Sequence, residues 1–247
     1  MSIAITEIVK RSEQGVTRPF LCRASNGSSW FVKGLRGVGA AALRAEWICG
    51  KFAKAMHLPI PAFAIAEVDE VLVAMSAVEG ANELGQRYAF SSQAIGGAQE
   101  ITFSQARELP LDLQARVLLF DWWIRNEDRI LGPLGGNPNI LTTGSAPPEP
   151  WLIDHHTALD AEFQRERFWN NHIFADARGV WTEAWRRTES KRLESVAGRL
   201  SAAWQAMPDV WLPEENADSE GSVLEQQRIA RILLFPIDAP AEFWNVP

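Results

Sequence analysis

The sequence is most informative in three short stretches: Asp121-Trp-Trp-Ile-Arg-Asn-Glu-Asp-Arg129, Gly136-Asn-Pro-Asn139 and Trp151-Leu-Ile-Asp-His-His156. The run Leu111–Arg125, which leads into the first stretch, is apolar around its whole circumference. That pattern predicts a buried helix. Because Asp128 follows this helix directly, we expect its position to be rigidly held.

The second and third stretches predict a hairpin formed by Asn137–Thr143 and Trp151–His155, joined by a loop rich in Gly and Pro. Pairing of the two strands places Asn139 and Asp154 roughly opposite each other. Mg²⁺ prefers hard oxygen ligands and takes one or two of them from carboxylates. Asn139 and Asp154 are therefore candidate ligands of a magnesium–nucleotide site, and Asp128 is a candidate to orient or deprotonate an attacking hydroxyl. For Asn137-Pro138-Asn139 and for Asp154, each taken singly, an ordinary turn role is the favoured alternative.

Two further interactions are suggested around these stretches. Asp121 and Arg125 lie four positions apart on the predicted helix, a spacing that favours an ion pair. His155, His156, Asp154 and the distant His172 could form a transition-metal cluster. Adjacent residues on a strand point to opposite faces, so we disfavour that cluster.

The first part of the chain predicts strands and one helix. Pro19–Ala24 and Ser29–Leu35 flank an Asn26-Gly27 pair, which is the strongest short hairpin signal. Ala40–Met56 has the spacing of a helix. Two more apolar runs, Ala62–Val68 and Val71–Val78, predict a second hairpin turning at Asp69-Glu70.

Lys33 and Glu46 form a candidate pair in this part. Lys33 ends the second predicted strand, and Glu46 lies on the following helix among small and apolar residues. A carboxylate that faces inward needs a partner, and Lys33 is the nearest candidate along the chain. A strand lysine paired with a helix glutamate positions nucleotide phosphates in kinases. The alternative for Lys33 is an ordinary solvent-exposed edge lysine.

A β-rich part is followed by a helical part without regular βαβ alternation, which predicts an α+β fold of two lobes. The natural junction is residues 79–100. Helical patterns return at about 189–206 and 222–234. Between them, the acidic segment Pro208–Gly221 carries two prolines and predicts a surface loop.

Composition excludes several classes. The chain has 247 residues, 47% of them hydrophobic, and a net charge of −7. An acidic chain is a poor candidate for non-specific nucleic-acid binding. Two cysteines make no disulfide framework, the N-terminus has no secretory pattern, and no apolar run approaches the ~18 residues of a membrane span. We expect a cytoplasmic protein.

The ordered set of residues resembles the HipA-like kinase family over about residues 18 to 160. The matching motifs are Lys33, Glu46, Leu58-Pro-Ile-Pro61, Asn126-x-Asp128-Arg129, Asn137-Pro-Asn139 and Leu152-Ile-Asp-His155. The stretch from Asp121 to Asn139 is also similar to type II phosphatidylinositol kinases. The resemblance implies a bilobal protein-kinase-like fold, with a β-rich nucleotide-binding lobe over residues 1–80 and a helical lobe over residues 81–247. It also implies ATP and Mg²⁺ as cofactors and a hydroxyl acceptor on a protein, a lipid or a small molecule.

The resemblance further implies a role for each matching position. Lys33 would contact the α- and β-phosphates and pair with Glu46, and Asp128 would be the catalytic aspartate. Mg²⁺ would be held by Asn139 and Asp154. The phosphates would be covered by the turn Asn26, Gly27, Ser28 and Ser29, and adenine would be contacted by Ser76, Ala77 and Val78 within the hinge 75–80.

Three features depart from the protein-kinase pattern. The turn at Asn26 is not a full glycine-rich loop. Asn139 follows Asp128 by eleven positions, against about five in protein kinases, because Ile130–Gly136 is inserted, and this leaves Asn137 as a competing metal ligand. Asp154-His155-His156 replaces Asp-Phe-Gly.

Three classes of function stay open at this point. The first is an ATP- and Mg²⁺-dependent phosphotransferase. The second is an inactive, nucleotide-binding pseudokinase that acts as a regulatory or interaction module, and the third is a scaffold or toxin-like protein that keeps only the fold. The joint presence of Lys33, Asp128, Asn139 and Asp154 favours the enzyme, because an inactive module has no physical need for all four.

Overall fold

The N-terminal part of the protein is a closed five-stranded sheet. The structure is a computed structural model that describes residues 2–13, 15–85, 87–132, 135–213 and 221–247. The strands of the sheet are β1 (Ser2–Arg11), β2 (Phe20–Ala24), β3 (Ser29–Lys33), β4 (Phe63–Val68) and β5 (Tyr88–Gln93). They follow the order β1-β2-β3-β5-β4, and β4 closes the sheet by pairing in parallel with β1. The other neighbours are antiparallel.

The first predicted hairpin is confirmed: β2 and β3 pair antiparallel, with Cys22 opposite Trp30. Gly27 in the connecting turn has a φ of 81°, a left-handed conformation that glycine adopts without steric cost. The sequence patterns did not indicate β1 or β5. Because β5 belongs to the closed sheet, the last strand of that sheet ends at Gln93, and residues 94–98 lead into the helical part. The division of the chain at residue 80 stays a prediction.

The second predicted hairpin is wrong. Val71–Val78 does not form a strand, because Glu70–Met75 is a short helix, α2. The Asp69 side chain accepts a hydrogen bond from the backbone N–H of Val71 at 2.7 Å and so caps the helix start. Val71 and Met75 are exposed, whereas Leu72, Val73 and Val78 pack against the apolar cluster of the closed sheet without forming a strand of it.

The predicted helix after β3 is confirmed as α1 (Leu35–Ala55), which begins earlier than Ala40 and is interrupted at Gly39, where φ is 81°. Most of its residues from Ala42 onward are buried. The helix lies between the closed sheet and the C-terminal helices, so its two sides meet different parts of the molecule.

The C-terminal part contains most of the helices and two small sheets. The helices are α3 (Phe103–Glu108), α4 (Leu111–Trp123), α5 (Arg165–Asn171), α6 (Glu183–Ala197), α7 (Leu200–Gln205), α8 (Gly221–Asp238) and α9 (Pro240–Phe243). Short 3₁₀ turns cover Ala81–Leu84, Ala175–Val180 and Asp209–Trp211. The strands are β6 (Gln99–Glu100), β7 (Ile130–Gly132), β8 (Gly135–Asn137), β9 (Ile140–Thr142) and β10 (Pro150–Leu152), paired as β10-β9-β6 and β7-β8.

Helix α4 is the centre of the larger core, as its apolar circumference predicted. Trp122 alone packs against four aromatic neighbours, among them Trp169 and Phe168. The predicted hairpin beyond α4 is also confirmed, with Leu152 opposite Ile140. A helix end buried in such a core gives the residues that follow it a fixed position.

The acidic segment 208–221 is only partly what its composition suggested. Residues 214–220 lie outside the described residues. Trp211, in contrast, is fully buried at the end of the 3₁₀ turn, which a surface loop would not predict. None of the helices within the described ranges is long and apolar enough to cross a membrane.

Candidate active site

Lys33 is the centre of a buried charge cluster at the end of β3. Its Nζ lies 2.5 Å from Glu46 Oε1 of α1 and 2.7 Å from Asp154 Oδ1, just beyond β10. The other oxygen of Glu46 accepts the backbone N–H of His155 at 3.0 Å. The structure therefore brings together the strand lysine, the helix glutamate and the hairpin aspartate.

One lysine serves two carboxylates in this cluster, and the pKa values differ accordingly. Burial raises the pKa of Glu46, and the charge of Lys33 does not fully offset it because Asp154 adds repulsion. Burial also opposes ionisation of Asp154, but Lys33 and the hydrogen bond with His156 outweigh it and hold that pKa below its ordinary value. Burial alone would lower the pKa of Lys33, yet the two carboxylates raise it. The two carboxylates therefore share one positive charge, and the pKa of Glu46 is raised while that of Asp154 is lowered.

Asp154 has a left-handed backbone, with a φ of 60°. Its Oδ1 takes both Lys33 Nζ and a close contact from His156 Nδ1. Within the described part of the chain, no donor reaches its Oδ2. Glu46, Asp154 and His156 together offer three ligand atoms within 4.8 Å of one another.

Asp128 is held by two amides. Its Oδ2 accepts from Asn137 Nδ2 at 3.0 Å and from Asn139 Nδ2 at 3.1 Å. Asn139 is buried and has a φ of 47°, a value that asparagine tolerates better than most residues. Both amides turn their nitrogen toward Asp128 and leave their oxygen without a donor in the described residues, so the competition between Asn137 and Asn139 for a metal persists.

The expected ion pair between Asp121 and Arg125 is wrong. Arg125 adopts a φ of 56° at the end of α4 and donates instead to the Asp160 carbonyl. This turn carries the chain round so that Arg129 reaches Asp121, with Nε 2.6 Å from Oδ2 and both side chains fully buried. Spacing along one helix cannot reveal this partner, because the chain leaves the helix before Arg129.

Asp121 is the anchor of the loop that carries Asp128. Its Oδ1 accepts Asn126 Nδ2 at 2.8 Å, and its backbone carbonyl accepts the Asn126 N–H. Burial opposes the charge of Asp121, but Arg129 and His172 outweigh it and keep this pKa below its ordinary value. Arg129 also donates to the Asn139 carbonyl at 2.5 Å. One buried carboxylate thereby supports both the loop that carries Asp128 and, through Arg129, the start of the hairpin formed by β9 and β10.

The histidines do not converge on one site. His172 Nδ1 accepts the Phe174 N–H at 3.1 Å, so its Nε2 donates to Asp121 at 3.0 Å as a neutral imidazole. Burial, with the charge of Arg129, lowers the pKa of His155 to about 3. Only His156 lies beside Asp154, which argues against the four-residue cluster considered above.

The candidate phosphate turn and the candidate adenine segment lie apart from this cluster along the chain. Asn26–Ser29 joins β2 to β3, so it lies at the opposite end of β3 from Lys33. Ser76, Ala77 and Val78 follow α2 and lead to the 3₁₀ turn Ala81–Leu84. The residues that connect the closed sheet to the helical part are instead 94–98, directly after β5. Nucleotide contacts at both predicted segments stay predictions.

A strand lysine paired with a helix glutamate, beside a second carboxylate on a loop, is the arrangement that positions phosphates in kinases. The chain belongs to the HipA-like kinase family, whose model matches residues 5–246. The match extends beyond the resemblance over residues 18 to 160 and takes in the C-terminal third of the chain. No curated protein matches the chain at the level of sequence.

Proposed function

We propose that this protein is a bilobal, ATP- and Mg²⁺-dependent kinase that transfers the γ-phosphate to a hydroxyl acceptor. The observation that carries the proposal is the position of Lys33 Nζ, within 2.7 Å of both Glu46 and Asp154. A lysine held between these two carboxylates can contact nucleotide phosphates on one side of a metal. Membership of a kinase family supports this interpretation.

Asp154 and the two asparagines offer donor atoms of the kind that Mg²⁺ prefers. Asp154 Oδ2 and the amide oxygen of Asn139 or Asn137 have no donor among the described residues, and these are the hard oxygen ligands that Mg²⁺ prefers. Bound there, the ion would neutralise charge on the phosphates. Lys33 orients the phosphates from the other side of Asp154, and Arg129 fixes Asn139 through its carbonyl.

Asp128 is the proposed catalytic residue for the acceptor. Asn137 and Asn139 hold its Oδ2, and no donor from the described residues reaches its Oδ1. That oxygen can accept the proton of an incoming hydroxyl, a contribution of about 10²–10⁴ in rate. The two amides fix the carboxylate so that it meets the acceptor in one orientation.

The turn Asn26–Ser29 supports a second candidate function, that of a pseudokinase. Its backbone is occupied by its own hydrogen bonds: Gly27 N–H donates to the Ala24 carbonyl at 2.8 Å, and Ser28 N–H donates to Asn26 Oδ1 at 3.0 Å. Phosphate-binding loops need such N–H groups free. A protein that binds nucleotide without covering its phosphates would transfer them poorly.

The deciding experiment incubates the protein and Mg²⁺ with ATP labelled at either the γ- or the α-phosphate. We expect only ATP labelled at the γ-phosphate to transfer label to hydroxyls of protein, added lipid or small molecules. The Asp128→Asn variant should lose this transfer. Label from α-ATP would indicate nucleotide transfer. Nucleotide-dependent thermal stabilisation with no transfer to any acceptor would favour the pseudokinase.

A further inference from the structure

Helix α1 has a second side that faces away from Lys33. Arg44 and Glu46 lie two positions apart, about 200° around the helix, so they project in opposite directions. Arg44 Nη1 donates to the carbonyl of Trp211 at 2.6 Å, and Trp47 Nε1 donates to the carbonyl of Ala203 at 2.9 Å. Trp211 in turn donates to the Tyr88 carbonyl of β5 at 3.2 Å.

Glu225 of α8 extends this contact into a chain of charged hydrogen bonds. Its Oε1 accepts Arg44 Nη2 at 3.2 Å and Arg228 Nη2 at 3.0 Å, and its Oε2 accepts Arg228 Nε at 2.7 Å. The Glu225 side chain is 19% exposed and that of Arg44 only 9%. Partly buried, charge-assisted bonds of this kind hold their partners more firmly than pairs in open solvent.

The chain of contacts ends on the segment that follows Asp154. Arg228 Nη1 donates to the Leu159 carbonyl at 2.7 Å. Leu159 has a φ of 62°, and its N–H donates to the Ile124 carbonyl at the end of α4 at 2.7 Å. The segment after Asp154 is therefore fixed on one side by α4 and on the other by α8.

We propose that Glu225 is a positioning residue for the phosphotransfer site. With Arg44 and Arg228 it ties α1 to the segment after Asp154 from outside, while Lys33 ties Glu46 to Asp154 from inside. Release of the outer tie lets α1 move relative to Asp154 and separates the two carboxylates that Lys33 joins. The proposal rests on the proposed kinase function for its catalytic consequence, whereas the movement of α1 is testable without it.

The test uses two native thiols as probes of position. Cys49 lies on α1, three residues from Glu46, and Cys22 lies on β2; both are fully buried. Burial raises the pKa of both thiols, that of Cys22 to about 12, so neither reacts readily in the native state. Displacement of α1 alone exposes Cys49, whereas general unfolding exposes both.

The variants are Glu225→Gln, Arg44→Met and their combination, with Glu183→Gln as a matched control. Glu183 pairs with Arg187 on the exposed side of α6, and its side chain is 89% exposed. Labelling of each cysteine by N-ethylmaleimide is followed by peptide mass spectrometry, alongside the kcat, the KM for ATP and the Tm. The double variant shows whether the two residues act as one unit.

We expect Glu225→Gln to label Cys49 at least about tenfold faster, with Cys22 unchanged and kcat reduced by at least about tenfold at a similar KM. Arg44→Met should behave alike, the combination should add little, and Glu183→Gln should match the wild type. Equal labelling of both cysteines, or a fall in kcat without selective labelling of Cys49, overturns the proposal. If wild-type protein transfers no phosphate, the kinase function fails, and the labelling arm still decides whether Glu225 holds α1.

Discussion

Replacement of Arg129 by Met tests the buried anchor beneath the candidate active site. Arg129 and Asp121 are both fully buried, and the guanidinium also reaches the carbonyl of Asn139. Removing one partner of a buried ion pair costs about 3–5 kcal/mol, because the remaining charge is left uncompensated. Asn126 and His172 still donate to Asp121, so we expect the lower end, about 3 kcal/mol.

Urea unfolding measures this loss directly, provided that the m-value is unchanged. For a chain of this size, about 3 kcal/mol corresponds to a fall in Tm of roughly 6–12 °C. Arg125→Met is the matched control: among the described residues Arg125 donates to the Asp160 carbonyl alone, at 3.4 Å, so its loss should cost less than about 1 kcal/mol. The double variant Asp121→Asn/Arg129→Met should recover part of the stability, because no buried charge remains.

The pH dependence follows from the direction of the Asp121 pKa. Arg129 holds the pKa of Asp121 below its ordinary value. The charged Asp121 therefore contributes fully to the stability of the wild type above about pH 4, and this contribution is lost as the pH falls below that value. Without Arg129, Asp121 takes a proton at higher pH and ceases to be a buried charge. The difference in the free energy of unfolding between Arg129→Met and the wild type should therefore become smaller as the pH is lowered. A loss below about 1 kcal/mol at neutral pH, or one equal to that of Arg125→Met, would refute this account of the anchor.

Four further outcomes are expected. Asp154→Ala should abolish the thermal stabilisation by Mg·ATP, since the linked binding free energy is lost; an unchanged melting shift counts against Asp154 as a metal ligand. Asp128→Asn should keep that stabilisation but turn over about 10²–10⁴ more slowly, and full turnover at saturating ATP would remove it from catalysis. Glu46→Gln should lower kcat with little loss of fold, as judged by urea unfolding, because Lys33 loses one of its two charged partners; full activity would separate this pair from the reaction. Burial lowers the pKa of His155 to about 3 in the folded protein, so on acidification the imidazole takes up a proton in the unfolded chain before it does so in the folded one. The free energy of unfolding should therefore fall by up to about 1.4 kcal/mol per pH unit as the pH drops from about 6.5. His155→Gln should flatten this decline in urea unfolding curves measured from pH 7.5 to 5, and an unchanged slope would contradict the assignment.

Local patterns were sufficient to predict α4, α1 and the hairpin formed by β9 and β10. In each case the periodicity or the strand pairing operates over fewer than about 20 residues, which is the range in which sequence signals are strongest. The proximity of Lys33 and Glu46 followed from the same local reasoning, because β3 leads directly into α1.

The errors have physical causes of their own. Val71–Val78 has the composition of a strand, but Asp69 caps a short helix there, and the run packs against the closed sheet without joining it. Arg129 replaces Arg125 as the partner of Asp121 because of a left-handed residue at the helix end. The composition around Trp211 predicts a surface loop. The residues that bury Trp211 lie on α1 and β5, far away along the chain. No short window of sequence encodes such contacts.

The long separation between α1 and its outer covering has a consequence for how the protein is made. Arg44 donates to a carbonyl that lies 167 positions later in the chain. At ~5–20 residues per second, the ribosome synthesises that residue on the order of ten seconds after Arg44. During that time the outer side of α1 lacks its hydrogen-bond partners, because the carbonyls of Ala203 and Trp211 and the carboxylate of Glu225 have yet to be synthesised. The outer side of α1 therefore reaches its final arrangement only after Glu225 of α8 has been synthesised, even though Lys33 and Glu46 are made early.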